Sequence, residues 1–247
     1  MILELDRVSK RYPRPGGGER VALDGVSIEL ERGQMMGIFG PSGAGKTTLL
    51  RIAAGLQAPD SGSVSYDGER LDRMSSSERQ RFRRQEVACI WTGQPVQMRL
   101  GVIEHVATPL LVDGRDRRLA ARRAREALLV CGVEQCVGME LGELSDGERQ
   151  RVEVARALVS EPRLLLADGP AASLSLVEQE EIMVLLGSLA REAKVAVLVA
   201  DVDAEALIRA EPILYLRDGK LVNPEPAAER GRLYSLPSAS SRRAADA

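Results

Sequence analysis

The chain has 247 residues, 44% of them hydrophobic and 28% charged, so a packed core is within reach and wholesale disorder is excluded. Its 34 basic and 36 acidic side chains leave a net charge of −2, which argues against a sequence-blind binder of nucleic acid and against nucleic acid as a partner. The longest uncharged run, between Arg32 and Lys46, is rich in glycine and falls well short of the ~20 apolar residues of a membrane-spanning helix. No basic start followed by an apolar stretch follows Met1, so no secretory signal is expected. Cys89, Cys131 and Cys136 lack zinc-like spacing and suit buried thiols in a reducing compartment. A soluble intracellular protein is the expectation.

In chain order, Leu3 to Val8 and Val21 to Leu30 read as strands separated by the turn-forming stretch from Pro13 to Gly18. Gln34 to Phe39 is a short apolar run closed by Gly40, and Lys46 to Ala54 has helical spacing. A strand, a glycine-rich loop and a helix in that order begin an α/β unit with a buried parallel strand. From about 100 to 160 the pattern turns helical, with Asp116 placed as N-cap of the arginine-rich segment Arg117 to Val130. Arg163 to Ala167, Val195 to Ala200 and Ile213 to Leu216 return to short β-rich runs. The reading is one α/β domain over 1–222 interrupted by a helical lobe, then a tail over 223–247. The tail is rich in Pro, Ala, Ser and Arg and is expected to be largely disordered.

Gly40-Pro41-Ser42-Gly43-Ala44-Gly45-Lys46-Thr47 matches G-x-x-x-x-G-K-[ST] in full. Glycines permit a tight loop whose backbone N–H groups point inward at phosphate oxygens. Lys46 supplies a point charge to the outer phosphates, the Thr47 hydroxyl suits Mg²⁺, Thr48 continues the set, and the following helix adds its positive end. A hydrophobic strand ending in a carboxylate should lie beside such a loop, and Leu164-Leu165-Leu166-Ala167-Asp168 supplies it. Asp168 would hold Mg²⁺ directly or through water.

Between these elements lies Leu144-Ser145-Asp146-Gly147-Glu148-Arg149-Gln150-Arg151-Val152, with Ala155-Arg156-Ala157-Leu158 following. This resembles the LSGGQ-x-QRV signature and downstream ARAL of ATP-binding cassette (ABC) ATPases. The resemblance extends to about Val222. Met74-Ser75-Ser76-Ser77-Glu78 with Arg83-Arg84 looks like the branch serving lipoprotein-releasing and macrolide-export systems. The resemblance implies an α/β core of the P-loop NTPase type with an antiparallel β lobe and an inserted helical lobe. It implies two cassettes closing head to tail over two ATPs, each between one phosphate loop and the other chain's signature. Ser145, Asp146, Gly147 and Glu148 would then act on the partner's ATP. Tyr12 matches the family's adenine-stacking aromatic.

Departures from the family pattern concentrate on hydrolysis. Gly169 follows Asp168 where the family has a glutamate as general base, and Gly cannot take a proton. Asp201 stands where a histidine contacts the γ-phosphate, and the sole histidine, His105, precedes the signature and reads as a coupling-surface or packing residue. Ser175 takes the place of the D-loop aspartate. Counting back from Leu100 puts Thr92 where a Mg²⁺-contacting glutamine is expected, with Gln94 two positions later; either could serve. Loss of a general base typically costs 10²–10⁴ in rate. Asp146 replaces a glycine. About 6 Å from a phosphate charge it would repel by ~2–3 kcal/mol, depending on where it points.

The expected function is therefore the ATP-binding subunit of an ABC transporter, with ATP and Mg²⁺ as ligands. It would lie at the cytoplasmic membrane face on a separate integral-membrane permease, as the degenerate half of an unequal ATPase pair. The competing expectation is a non-hydrolysing, ATP-dependent homodimeric scaffold or regulatory subunit.

Overall fold

The computed structural model describes residues 1–91, 93 and 97–222. The expected disordered tail over 223–247 and both glutamine-loop candidates, Thr92 and Gln94, lie outside the described residues.

The chain opens with β1 (Leu3–Pro13) and β2 (Glu19–Leu30), an antiparallel pair. β1 runs beyond the expected end at Val8 because irregularities in the register between Leu5 and Arg11 let it bend and keep pairing. Next come β3 (Met35–Phe39), α1 (Lys46–Ala53), β4 (Ser61–Tyr66) and β5 (Glu69–Arg70). They are followed by α2 (Ser76–Gln85) and β6 (Val87–Trp91). The helical stretch supplies α3 (Val102–Val112), α4 (Arg117–Val130) and α5 (Asp146–Leu158). The chain then returns to β7 (Leu164–Asp168), α6 (Leu176–Ala193), β8 (Ala196–Asp201), β9 (Ile213–Arg217) and β10 (Lys220–Val222).

These strands form a four-stranded sheet, ordered β2-β1-β4-β5, and a six-stranded sheet, ordered β10-β9-β3-β8-β7-β6. β1, β2, β4 and β5 pair antiparallel, whereas β9, β3, β8, β7 and β6 run parallel. Continuous apolar runs such as Leu164-Leu165-Leu166-Ala167 suit strands covered on both faces. Successive side chains point to opposite faces, so the run is shared between two cores. Leu165, Ala167, Val197 and Val199 join the core under the helical lobe and α6. Leu164, Leu166, Ala196, Leu198 and Ala200 join the core shared with α1 and the antiparallel sheet.

Serine-x-x-glutamate boxes start α2, α5 and α6, with Ser75, Ser145 and Ser175 as N-caps. Each serine hydroxyl accepts from the backbone N–H of the glutamate three residues on, and each glutamate carboxylate accepts the cap's own N–H. Asp116 caps α4 as expected, accepting from the N–H groups of Arg118 and Leu119. The serines of the branch-like segment thus have a local task at the start of α2. The pleat ends of β3, β7 and β8 place Phe39, Asp168 and Asp201 along one edge of the sheet, where the loops converge.

Candidate functional site

The loop after β3 curls over that edge and delivers α1. Gly45 sits at φ +113°, and a β-carbon there would lie 2.2 Å from the Ala22 carbonyl oxygen. Only glycine meets both the backbone shape and the approach of β2. A β-carbon on Gly40 would meet the Leu216 carbonyl oxygen equally closely, so this end of the loop packs against β9.

A cleft of ≈ 330 Å³ opens beside the loop, lined by Ser42, Gly43, Gly45, Lys46, Thr47 and Thr48. Asp168, Gly169, Ala200 and Asp201 close its far side. Gly40 and Ala44 lie beneath, buried as loop scaffold. Lys46 is only 7% exposed and donates from Nζ to the carbonyls of Gly40 and Pro41. Burial pushes its pKa down, while Asp168 and then Asp201 pull it up; the net shift is downward. The Thr47 hydroxyl donates to Asp168 Oδ2 at 2.5 Å, which brings two hard oxygen donors together where β7 ends. Among the described residues no group of three or more His, Cys, Asp or Glu could hold a metal. One hydroxyl and one carboxylate still fit Mg²⁺, a cation that keeps waters and takes its remaining ligands from phosphate.

Tyr12 stands at the rim. Its hydroxyl donates to Gln57 Oε1 at 2.8 Å and lies 3.4 Å from Thr48 Oγ1, and the Lys10 ammonium sits 5.9 Å from the ring centre. Arg20 belongs to no sequence motif, yet it lines the same cleft and donates from Nη2 to the Gly43 carbonyl at 3.0 Å. The cross-strand pairing of Tyr12 with Arg20 in the hairpin is the signal that would have found it.

Gly169 adopts φ +59°, donates its N–H to the Ala200 carbonyl at 2.8 Å, and offers the cleft no side chain. Asp201 is 6% exposed. Its Oδ1 accepts the backbone N–H groups of Val202 at 2.6 Å and Asp203 at 3.0 Å, so the carboxylate builds the turn that follows β8.

The signature residues lie apart from this cleft, at the start of α5. Ser145 Oγ donates to Glu148 Oε2 at 2.9 Å, closing the cap, and the Ser145 backbone and then its side chain hold the Glu148 carboxyl below its ordinary range. Asp146 Oδ1 pairs with Arg149 Nη1 at 2.8 Å, which settles the direction of that carboxylate: it folds back along its own helix. Gly147 is buried against Glu178 of α6. His105 links α3 to α5 through Nε2 and Glu153 Oε1 at 2.6 Å, so packing within the helical lobe accounts for it.

The ABC transporter family model matches residues 23–172, more than half of the chain; the stretch holds the phosphate loop, Asp168 and Gly169, while Arg20, Ala200 and Asp201 of the cleft lie outside it. The dimeric structure of MJ0796, a bacterial ABC transporter cassette, superposes with a TM-score of 0.81 at 31% identity, covering 91% of this chain and 98% of that one. The same cassette in a dimeric post-hydrolysis state bound to ADP and Pi gives the same values. The ADP conformation of MJ1267, also an ABC transporter cassette, gives 0.76 at 20% identity over 90% of this chain and 89% of that one, a likeness of fold alone. By family match, by topology and by the phosphate loop at the sheet edge, the chain belongs to the ABC transporter family and carries its ATP-binding cassette.

Proposed function

We propose that the chain is the ATP-binding subunit of an ABC transporter, held at the cytoplasmic membrane face by a separate integral-membrane permease. No described helix is long and apolar enough to cross a membrane. The 1–222 cassette binds ATP through the backbone of Gly40 to Gly45, with Ser42, Lys46 and Thr48 on the phosphates and Tyr12 against the base. Thr47 and Asp168 hold Mg²⁺, which neutralises phosphate charge when bound; Gln94 is a further candidate ligand.

In this reading the chain is the catalytically degenerate half of an unequal ATPase pair. The observation that carries it is the contrast within one cleft: Lys46, Thr47 and Asp168 keep their partners while Gly169 has no proton acceptor and Asp201 is committed to a backbone turn. Such a site binds and closes but does not activate water. The working site pairs the partner's phosphate loop with Ser145 and Gly147 of this chain. MJ0796 is described as dimeric, which supports pairing of two cassettes here. The segment from Met74 to Glu78 supports placement in the lipoprotein-releasing and macrolide-export branch.

The alternative, a non-hydrolysing homodimeric scaffold, is favoured by one observation: the Ser145 hydroxyl is already donated to Glu148. Co-purification from membranes separates the readings, because the unequal pair must bring a permease and a second, complete cassette. The purified chain should bind Mg·ATP with negligible turnover. Robust turnover that disappears in Lys46→Ala would overturn the degenerate assignment.

A further inference from the structure

Arg20 opens a gap in the motif-based account of the cleft. It faces Tyr12 directly across the β1–β2 pairing, so both side chains leave the same face of the hairpin. Arg20 reaches the phosphate loop at Gly43, and Tyr12 reaches the first turn of α1 at Thr48. A guanidinium carries five N–H donors, and the Gly43 carbonyl engages Nη2. Among the described residues Arg20 forms no ion pair, and its exposed side chain lines the same cleft as Asp168 and Asp201.

The charges around that cleft explain why a second cation matters. Lys46 faces two carboxylates, Asp168 and Asp201, and both act on it electrostatically. Asp168 is matched by Thr47 and by the cation the pair would hold. Asp201 has no such match: two backbone N–H groups fix its Oδ1, and its charge stays at the cleft wall. A polyphosphate entering there meets one more negative charge than Lys46 alone can balance. Arg20 is placed to supply the balance, and a planar fork with unused donors suits phosphate oxygens.

We infer that Arg20 binds the phosphate tail of the nucleotide and offsets the charge of Asp201. The inference rests on the nucleotide-site assignment and deepens it. Its test is Mg·ATP affinity by calorimetry for the full chain and for Arg20→Gln, Arg20→Lys and Lys46→Ala, each checked for an unchanged melting temperature. Arg20→Gln should weaken binding by about tenfold or more, as expected for a lost charged hydrogen bond. Arg20→Lys should recover most of that loss, and the affinity of Arg20→Gln should fall less steeply with salt than that of the wild type. Glutamine is too short to keep the bond that Nη2 makes to the Gly43 carbonyl, so charge is read by the salt dependence and by the charge-removing rescue. Adding Asp201→Asn, which keeps the turn acceptor, should return Arg20→Gln toward wild-type affinity. Wild-type affinity in Arg20→Gln, with binding still lost in Lys46→Ala, would overturn the role of Arg20 and leave the site standing. Unchanged binding in Lys46→Ala would overturn the site itself.

Discussion

The loop after β3 and the loops after β7 and β8 converge on one cleft, but they differ in what their side chains are free to do. The first is shaped by backbone: Gly40 and Gly45 fit against carbonyls of β9 and β2, and Lys46 is buried where its ammonium serves the loop interior. The second group ends in Asp168, Gly169 and Asp201, of which Asp168 meets Thr47, Gly169 presents no side chain, and Asp201 is spent on its own turn. Holding a phosphate tail asks for many fixed N–H groups and a cation, whereas activating water asks for one correctly placed base. The two demands fall on different loops. One can persist while the other is lost, with the fold unchanged.

The largest expected effect comes from breaking the first loop. Lys46→Ala removes the central charge on the phosphates and should lower Mg·ATP affinity by 100-fold or more, taking roughly 3 kcal/mol as the worth of a buried charged hydrogen bond; calorimetry reads it. On the proposed unequal pair, Ser145→Arg in the assembled complex should silence ATPase activity, because bulk and charge would then stand against the partner's γ-phosphate. Gly169→Gln in the same complex should leave activity within about twofold of wild type, because no base is lost. Equal losses from these two changes, with assembly checked by size, would end the unequal-pair reading.

A smaller effect sharpens the second group of loops. Gly169→Glu supplies a carboxylate but forces a side chain onto a left-handed backbone, at a cost of roughly 1–2 kcal/mol. The isolated chain should gain little turnover and melt a few degrees lower. The smallest effect concerns the caps. Hydrogen bonds from Ser145 and Ser175 hold Glu148 and Glu178 below the ordinary carboxylate range. Depressed folded-state pKa values give stability that is present above about pH 4.3 and lost as pH falls through the lower folded values. Glu148→Gln should therefore flatten the acid limb of the melting-temperature profile slightly, while an unchanged acid limb would remove Glu148 from that account.

Much of this was legible in the sequence because the chemistry is local. The phosphate loop needs glycines at fixed offsets, and β7 needs an apolar run ending in a carboxylate; both patterns occupy consecutive residues. The gaps between were harder. β4 carries the polar run Ser61-Gly62-Ser63 and buries only Val64 and Tyr66, so its alternation is faint, and β5 is two residues long. α2 is rich in arginine and buries Phe82 alone, so nothing in its pattern announces a core-facing stripe. Arg20 was invisible because its partner, Gly43, is 23 residues away and is met through a carbonyl that every residue has. The direction of Asp146 depended on the rotamer of Arg149, which spacing permits but does not dictate.

Gly147 ties the two lobes together more closely than its place in the signature suggests. A β-carbon there would fall 2.6 Å from Oε1 of Glu178, a carboxylate whose other oxygen caps α6 by accepting the Ser175 N–H at 3.0 Å and its hydroxyl at 2.6 Å. The cheapest escape from that clash is to swing Glu178 away, which unfastens the first turn of a helix in the other lobe. Even a methyl group at Gly147 would thus be felt as fraying of α6, an 18-residue helix that backs the cleft strands. Hydrogen exchange in the first turn of α6 would register it without any nucleotide present. The signature glycine is, in this sense, a spacer between two helix starts, and its smallness keeps both of them closed.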